Sequence, residues 1–214
     1  MKIKLAHSAV LPLFLLITGT LALVAITDRY ILTINFYERT GQPMSGIPDT
    51  ESLVYHRVSN VIYVYSVGYI TIKVLVISML IATGLFFFGI KARFRDIIRM
   101  VTLSELVFLV PAAVKICWYW QARNTVDLVT WQNFYFLSAA SLFTHIKPAF
   151  LLPLQTLNVF EAAYWFLLAR GLTKIAAVNF DQALKVVLVS YLPALFVWVI
   201  FMVYITVVYF PQSY

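Results

Sequence analysis

Charge is scarce in this sequence. Only 12% of the 214 residues are Asp, Glu, Lys or Arg, about half the share in a soluble domain. Cysteine is almost missing. The lone Cys117 excludes an internal disulfide framework and a cysteine-rich metal site. The three histidines, His7, His56 and His145, stand far apart, without ligand-type spacing. There is no glycine-rich phosphate loop, no HExxH and no GxSxG. Paired exposed carboxylates and a histidine-based nucleophile are also missing. The residues therefore point to no catalytic site, metal or cofactor, and the expectation is a non-enzyme.

Apolar residues are abundant instead, at 62% of the chain. A small globule cannot bury that excess, so the solvent is a lipid bilayer. The formal net charge of +7 is carried by short basic runs between apolar segments. Such runs anchor helices at membrane surfaces, and no nucleic-acid partner is expected.

A membrane span needs about 20 mostly apolar residues. Five segments qualify, at about 9–27, 69–90, 101–120, 149–169 and 186–210. The first is long for a signal-peptide centre, which favours a retained helix. Residues 28–68 form an extracytoplasmic loop, turn-rich around Gly41, Pro43, Gly46 and Pro48, whose pattern becomes helical again from Thr50. Pro153 is expected in the first turn of the fourth span. Before the fifth, Asn179 is placed to cap a helix and Gln182 to complete a capping box. Asp181 and Lys185 are spaced as an i, i+4 pair. Ser78, Ala82, Gly84 and Gly89 offer a close-packing face on the second span.

The stretch 131–147 reads as an interfacial or re-entrant segment. Trp131, Tyr135, Ala139, Leu142 and Ile146 share one helical face, with Asn133, Ser141, Thr144 and Lys147 largely opposite. Charge supports leaving it out of the bilayer. With five spans, Lys2, Lys4, Lys91, Arg93, Arg95, Arg99, Arg170, Lys174 and Lys185 fall on one side. Arg29, Arg39, Arg57, Arg123 and Lys147 fall on the other, diluted with acids. The positive-inside rule then puts the N-terminus in the cytoplasm and the C-terminus outside. Trp118, Trp120 and Trp131 gather at the outer interface. The expected fold is all-α: one polytopic helix bundle with five transmembrane helices.

Ionisable residues inside the spans are expensive, at up to about 2.5–3.5 kcal/mol each at a helix centre. Lys73 is placed near the outer end of its span, where it can snorkel. Glu105, Lys115 and Glu161 lie deeper. Glu105, Phe108, Pro111, Ala112 and Lys115 share a face of the third span. Gln155, Asn158 and Glu161 step along the fourth. Lys115 is then expected to pair with Glu161, with Asn158 helping and Pro111 freeing a carbonyl. Glu105, Lys115, Gln155, Asn158 and Glu161 are the candidate intramembrane polar cluster. It is either an interhelical clamp or a proton or ion relay.

"FLVPAAVKICWYW", "FLLPLQTLNVFEAAYWFLLARGLTK" and "VSYLPALFVWVIFMVY" resemble small bacterial members of the Yip1-like membrane proteins, over about residues 100–205. That resemblance implies a non-catalytic adaptor, scaffold or packing subunit in a bacterial cytoplasmic membrane. Its partners would be the bilayer and other membrane proteins, or a second copy of the chain. The alternative is a small transporter or channel subunit using Lys115, Asn158 and Glu161.

Overall fold

The computed structural model describes residues 10–41, 51–122, 126–143 and 146–209. Within them the chain forms α1 (Val10–Tyr30), α2 (Ile34–Arg39), α3 (Glu51–Phe87), α4 (Phe94–Glu105), α5 (Leu109–Ala122), α6 (Leu128–Asn133), α7 (Pro148–Thr156), α8 (Val159–Ile175) and α9 (Phe180–Tyr209). A 3-10 turn at Leu106–Phe108 joins α4 to α5. No strand occurs among the described residues, only a single antiparallel bridge between Ser138 and Asn158. Lys2, Lys4, Pro43, Gly46, Pro48, Arg123, Thr144, His145 and Tyr214 lie outside them.

Four helices are long and apolar enough to cross a membrane: Val10–Tyr30, Leu53–Phe87, Phe94–Ala122 and Phe180–Val208. The expected fourth span, 149–169, is not one helix. It breaks at Leu157–Asn158 into α7 and α8. Pro148, not Pro153, takes the first turn of α7, and α7 ends soon after Pro153. That fits proline's missing N–H and its clash with the preceding turn. The break is held by backbone pairing with residues 137–139. Ala139 N–H donates to the Leu157 carbonyl at 2.8 Å, and Val159 N–H to the Leu137 carbonyl at 3.1 Å. The stretch 131–147 therefore carries no continuous amphipathic helix. It holds the end of α6, a turn and a 3-10 segment that brace the break.

Two other boundaries move. The expected loop 28–68 is largely helical, because α3 starts at Glu51 and runs for 37 residues, directly into the second span. The third passage starts at Phe94, ahead of the expected 101. Pro111 cannot donate to the carbonyl four residues back, and the 3-10 turn sits where that bond is missing. Asn179 caps α9 as expected, accepting from Gln182 N–H at 2.8 Å.

The core follows helical spacing. Val74, Ile77, Ile81 and Leu85 of α3 meet Ile97, Met100 and Val101 of α4, Leu168 and Leu172 of α8, and Val186 and Val187 of α9. Outward faces are apolar too, as at Phe196, Val197, Ile200 and Phe201. In lipid, helices gain little from burying apolar surface, so close packing at small residues must hold them. Gly84 does this against α9: a Cβ there would fall 2.7 Å from Ser190 Cβ. Gly19 meets Leu109 in the same way, with a Cβ 2.8 Å from its Cδ1.

The basic residues of the α3–α4 and α8–α9 turns gather at one end of the bundle. A second, smaller core of Ile31, Phe36, Tyr119, Val126 and Trp131 closes the opposite end. There Trp118 stacks on Phe134 and Trp120 meets Tyr30 edge-on, the aromatic clustering expected of a membrane interface.

Candidate functional site: a charged centre between two cavities

The centre of the bundle holds an ion pair. Lys73 Nζ lies 2.8 Å from Glu105 Oε2, with side-chain exposures of 27% and 6%. Glu105 continues the buried stripe Ile97–Val101 down α4, so helical spacing alone turns it inward. At about 1.5 Å per residue, Lys73 lies about 21 Å from the end of α3 at Phe87. Glu105 lies about 17 Å from the start of α4. Both are near mid-bilayer for a hydrocarbon core of about 30 Å. The ammonium also sits over the Phe108 ring, 4.3 Å from its centroid, and 5.8 Å from that of Tyr164. A cation on an aromatic face gains about 0.5–2 kcal/mol.

One oxygen of the pair is left over. Glu105 Oε1 and the Tyr164 hydroxyl are both buried without a hydrogen-bond partner, although the hydroxyl lies beside the carboxylate. The two are an acceptor and a donor side by side, so a small shift of either side chain pairs them; held apart, a buried polar atom costs about 1–3 kcal/mol.

Glu161 is the second carboxyl of the centre. Its Oε1 accepts from Trp165 Nε1–H at 2.9 Å and from the Tyr191 hydroxyl at 2.7 Å. It stands within range of the charges on Lys73 and Glu105. The Tyr164 and Tyr191 rings meet edge-on at 5.6 Å. The spacing of Asn158 and Glu161 is that of a helix cap: Asn158 Oδ1 accepts from Glu161 N–H at 2.8 Å. Asn158 Nδ2 donates back to the Gln155 and Thr156 carbonyls. Asn158 thus serves the broken backbone rather than a cation.

The expected Lys115–Glu161 pair does not form. Lys115 Nζ sits over the rings of Trp131 and Tyr135, at 4.7 and 5.4 Å. It has no acidic partner among the described residues. Two facts explain this. α5 leans on α1 rather than on α8, and Lys115 lies about 31 Å from the start of α4, about 10 Å beyond the level of Glu161. Lys73 takes the role assigned to Lys115. A span that begins at Tyr69 leaves Lys73 at its outer edge, whereas α3 is continuous from Glu51 to Phe87 and sets Lys73 about 21 Å from its inner end. Tyr164, Trp165 and Tyr191 were missed altogether. Helical spacing from Glu161 could have flagged Trp165, four residues on, but nothing local marks the tyrosines. Gln155 is buried and lies on the second of two cavities.

A cavity of about 430 Å³ lies between α1, α3 and α5, lined by Asp28, Lys73, Glu105 and Lys115. Asp28 is held by three hydroxyls spaced along α3: Tyr55 at 3.3 Å, Ser59 at 2.7 Å and Tyr63 at 3.2 Å. A second cavity of about 500 Å³ lies between α3, α7, α8 and α9 and is lined by Gln155, Asn158, Glu161 and Tyr191. Tyr69, Lys73 and Phe108 border both and form the partition between them. Among the described residues, no three His, Cys, Asp or Glu side chains are grouped to hold a metal ion.

The chain is an integral-membrane type of protein by its long apolar helices. No family model matches it, and neither a curated protein nor a solved structure matches it significantly.

Proposed function

We propose that this chain is a five-pass membrane protein that moves a proton or a small cation through the charged centre. The observation that carries the proposal is the Lys73–Glu105 pair, with its unpaired carboxylate oxygen, set in the partition between two cavities. Two carboxyl groups face one ammonium. With all three ionised, one negative charge is left over, which a proton or a cationic solute would balance. This reading takes up the transport alternative with a different residue set: Lys73, Glu105, Glu161, Tyr164 and Tyr191 in place of Lys115 and Asn158.

The fifth crossing in this proposal is α8. Its 17 residues span about 26 Å, near the lower limit for a bilayer helix. The gathering of Lys91, Arg93, Arg95, Arg99, Arg170 and Lys174 at one end supports a cytoplasmic location for that end and for the start of α1. A Yip1-like relationship and a bacterial inner membrane are proposed on the three sequence stretches quoted above.

The test is reconstitution in liposomes carrying an internal pH-sensitive dye, under an imposed potential with and without a cation gradient. Wild-type protein should pass protons or small cations faster than empty liposomes. Glu105→Gln and Glu161→Gln should each abolish the excess while leaving a folded protein. No excess flux from the wild type, for protons and for the alkali and small organic cations, would remove the transport reading.

The adaptor reading is favoured by one feature. The second cavity opens beside Ala194, Leu195 and the half-exposed Trp198, an apolar groove of the kind that takes a partner helix. Affinity purification from native membranes, with a Trp198→Ala control, tests it: a co-purifying chain lost with Trp198→Ala supports that reading.

A further inference from the structure

The basic end of the bundle carries a groove unconnected to the charged centre. It lies between α4 and α8, has a volume of about 490 Å³, and is bordered by Arg99, Arg170 and Lys174 above Leu103 and Leu167. We propose that it binds the headgroup of an anionic phospholipid, with the phosphate between the two guanidinium groups.

Four observations carry this. First, the three cations have no acidic partner among the described residues, and the groove's acid, Asp96, is engaged by Arg93 Nε at 2.9 Å. The local charge is therefore uncompensated. Second, Arg99 and Arg170 lie at matching depth, each about 8 Å in from its helix end. With α8 crossing the bilayer as proposed above, that is just below the headgroups, within reach of long side chains that snorkel outward. Guanidinium groups recognise phosphate oxygens in bidentate geometry. Third, Arg170 and Lys174 are spaced i, i+4 and share one face of α8. Fourth, the groove continues toward the bilayer centre as an apolar track, with Leu103 46% and Leu167 37% exposed. A free phosphate would have no use for that track, whereas an acyl chain would cover it. The floor is shaped by Gly171, where a Cβ would fall 2.3 Å from Met100 Cγ. A larger residue there would have to displace the Met100 side chain.

The experiment uses the full chain in neutral detergent, titrated with phosphatidylglycerol or phosphatidylcholine and read by native mass spectrometry. Phosphatidylglycerol should stay bound in preference to phosphatidylcholine. A basic residue near a membrane surface contributes about fivefold to anionic-lipid binding, so Arg99→Gln with Arg170→Gln should weaken phosphatidylglycerol binding at least about tenfold. Arg95→Gln, outside the groove, should leave binding unchanged. If the double variant does not fold, Arg170→Gln with Lys174→Gln, both on exposed side chains, replaces it with the same expectation. Equal binding of the two lipids, or equal loss from Arg95→Gln, would overturn the proposal. So would full displacement by excess inorganic phosphate, which would mark a soluble-anion site instead.

Discussion

Replacing Lys73 by Met tests whether the central ion pair is an energetic unit. The variant strands Glu105, which is 5% exposed, with no donor on Oε1 and none left on Oε2. Removing one partner of a buried ion pair typically costs about 3–5 kcal/mol in soluble proteins, because the other charge is left without compensation. Glu105→Gln leaves the ammonium instead. Lys73 is more exposed and keeps its Phe108 and Tyr164 rings, so the loss should be smaller, about 1–2 kcal/mol. The double variant carries no stranded charge and should recover about 2 kcal/mol of the summed losses. Thermal unfolding in one detergent at pH 7, for both single variants and the double, gives the coupling. If the losses add within about 0.5 kcal/mol at pH 7, the pair does not carry this energy and the reasoning fails.

The same cycle on Lys115→Met and Glu161→Gln should be additive, because the two side chains do not meet; a coupling above about 1 kcal/mol would contradict the structure. Asn158→Ala should cost about 1 kcal/mol through loss of the α8 cap, measured as thermal stability, and Asn158→Asp should retain most of it. Gly84→Val should separate α3 from α9 at Ser190 and lower stability by about 1–3 kcal/mol, whereas Gly68→Ala, facing open space, should leave it within about 0.5 kcal/mol. Reporters fused within 91–99 and after Tyr214 should be active on opposite sides of the membrane; finding both on one side would end the five-pass threading.

Some of this was readable from single residues. Helix material was legible wherever apolar runs exceeded a bilayer's thickness, because length and hydropathy are local properties. The Asn179 cap was legible for the same reason, since it depends on a few neighbouring residues. Gly84 was legible as a small residue on a helix face, but its partner Ser190, on another helix, was not, and Gly89 of the same expected face meets nothing. The broken span was not. Its hydropathy is continuous through Leu157 and Asn158, and the break is stabilised by strand-like bonds from Leu137 and Ala139. Pro153 is the local signal of the break: with α7 starting at Pro148, Pro153 falls inside the helix rather than in its first turn.

By itself, then, the sequence determined a helical chain suited to lipid, with most of its basic residues in short runs between apolar segments and only a few charges inside. Those are consequences of solvation, and solvation is counted residue by residue. Which charge meets which was decided by the tertiary structure. Lys73 and Lys115 are equally costly on a hydropathy scale, and both share a helix with other polar groups. Only the lean of α5 toward α1, and the start of α3 at Glu51, bring Lys73 rather than Lys115 to the carboxyls. Coulomb attraction and hydrogen bonding act over a few ångströms, so partner choice depends on helix register and tilt, which are set by packing between segments distant in the chain.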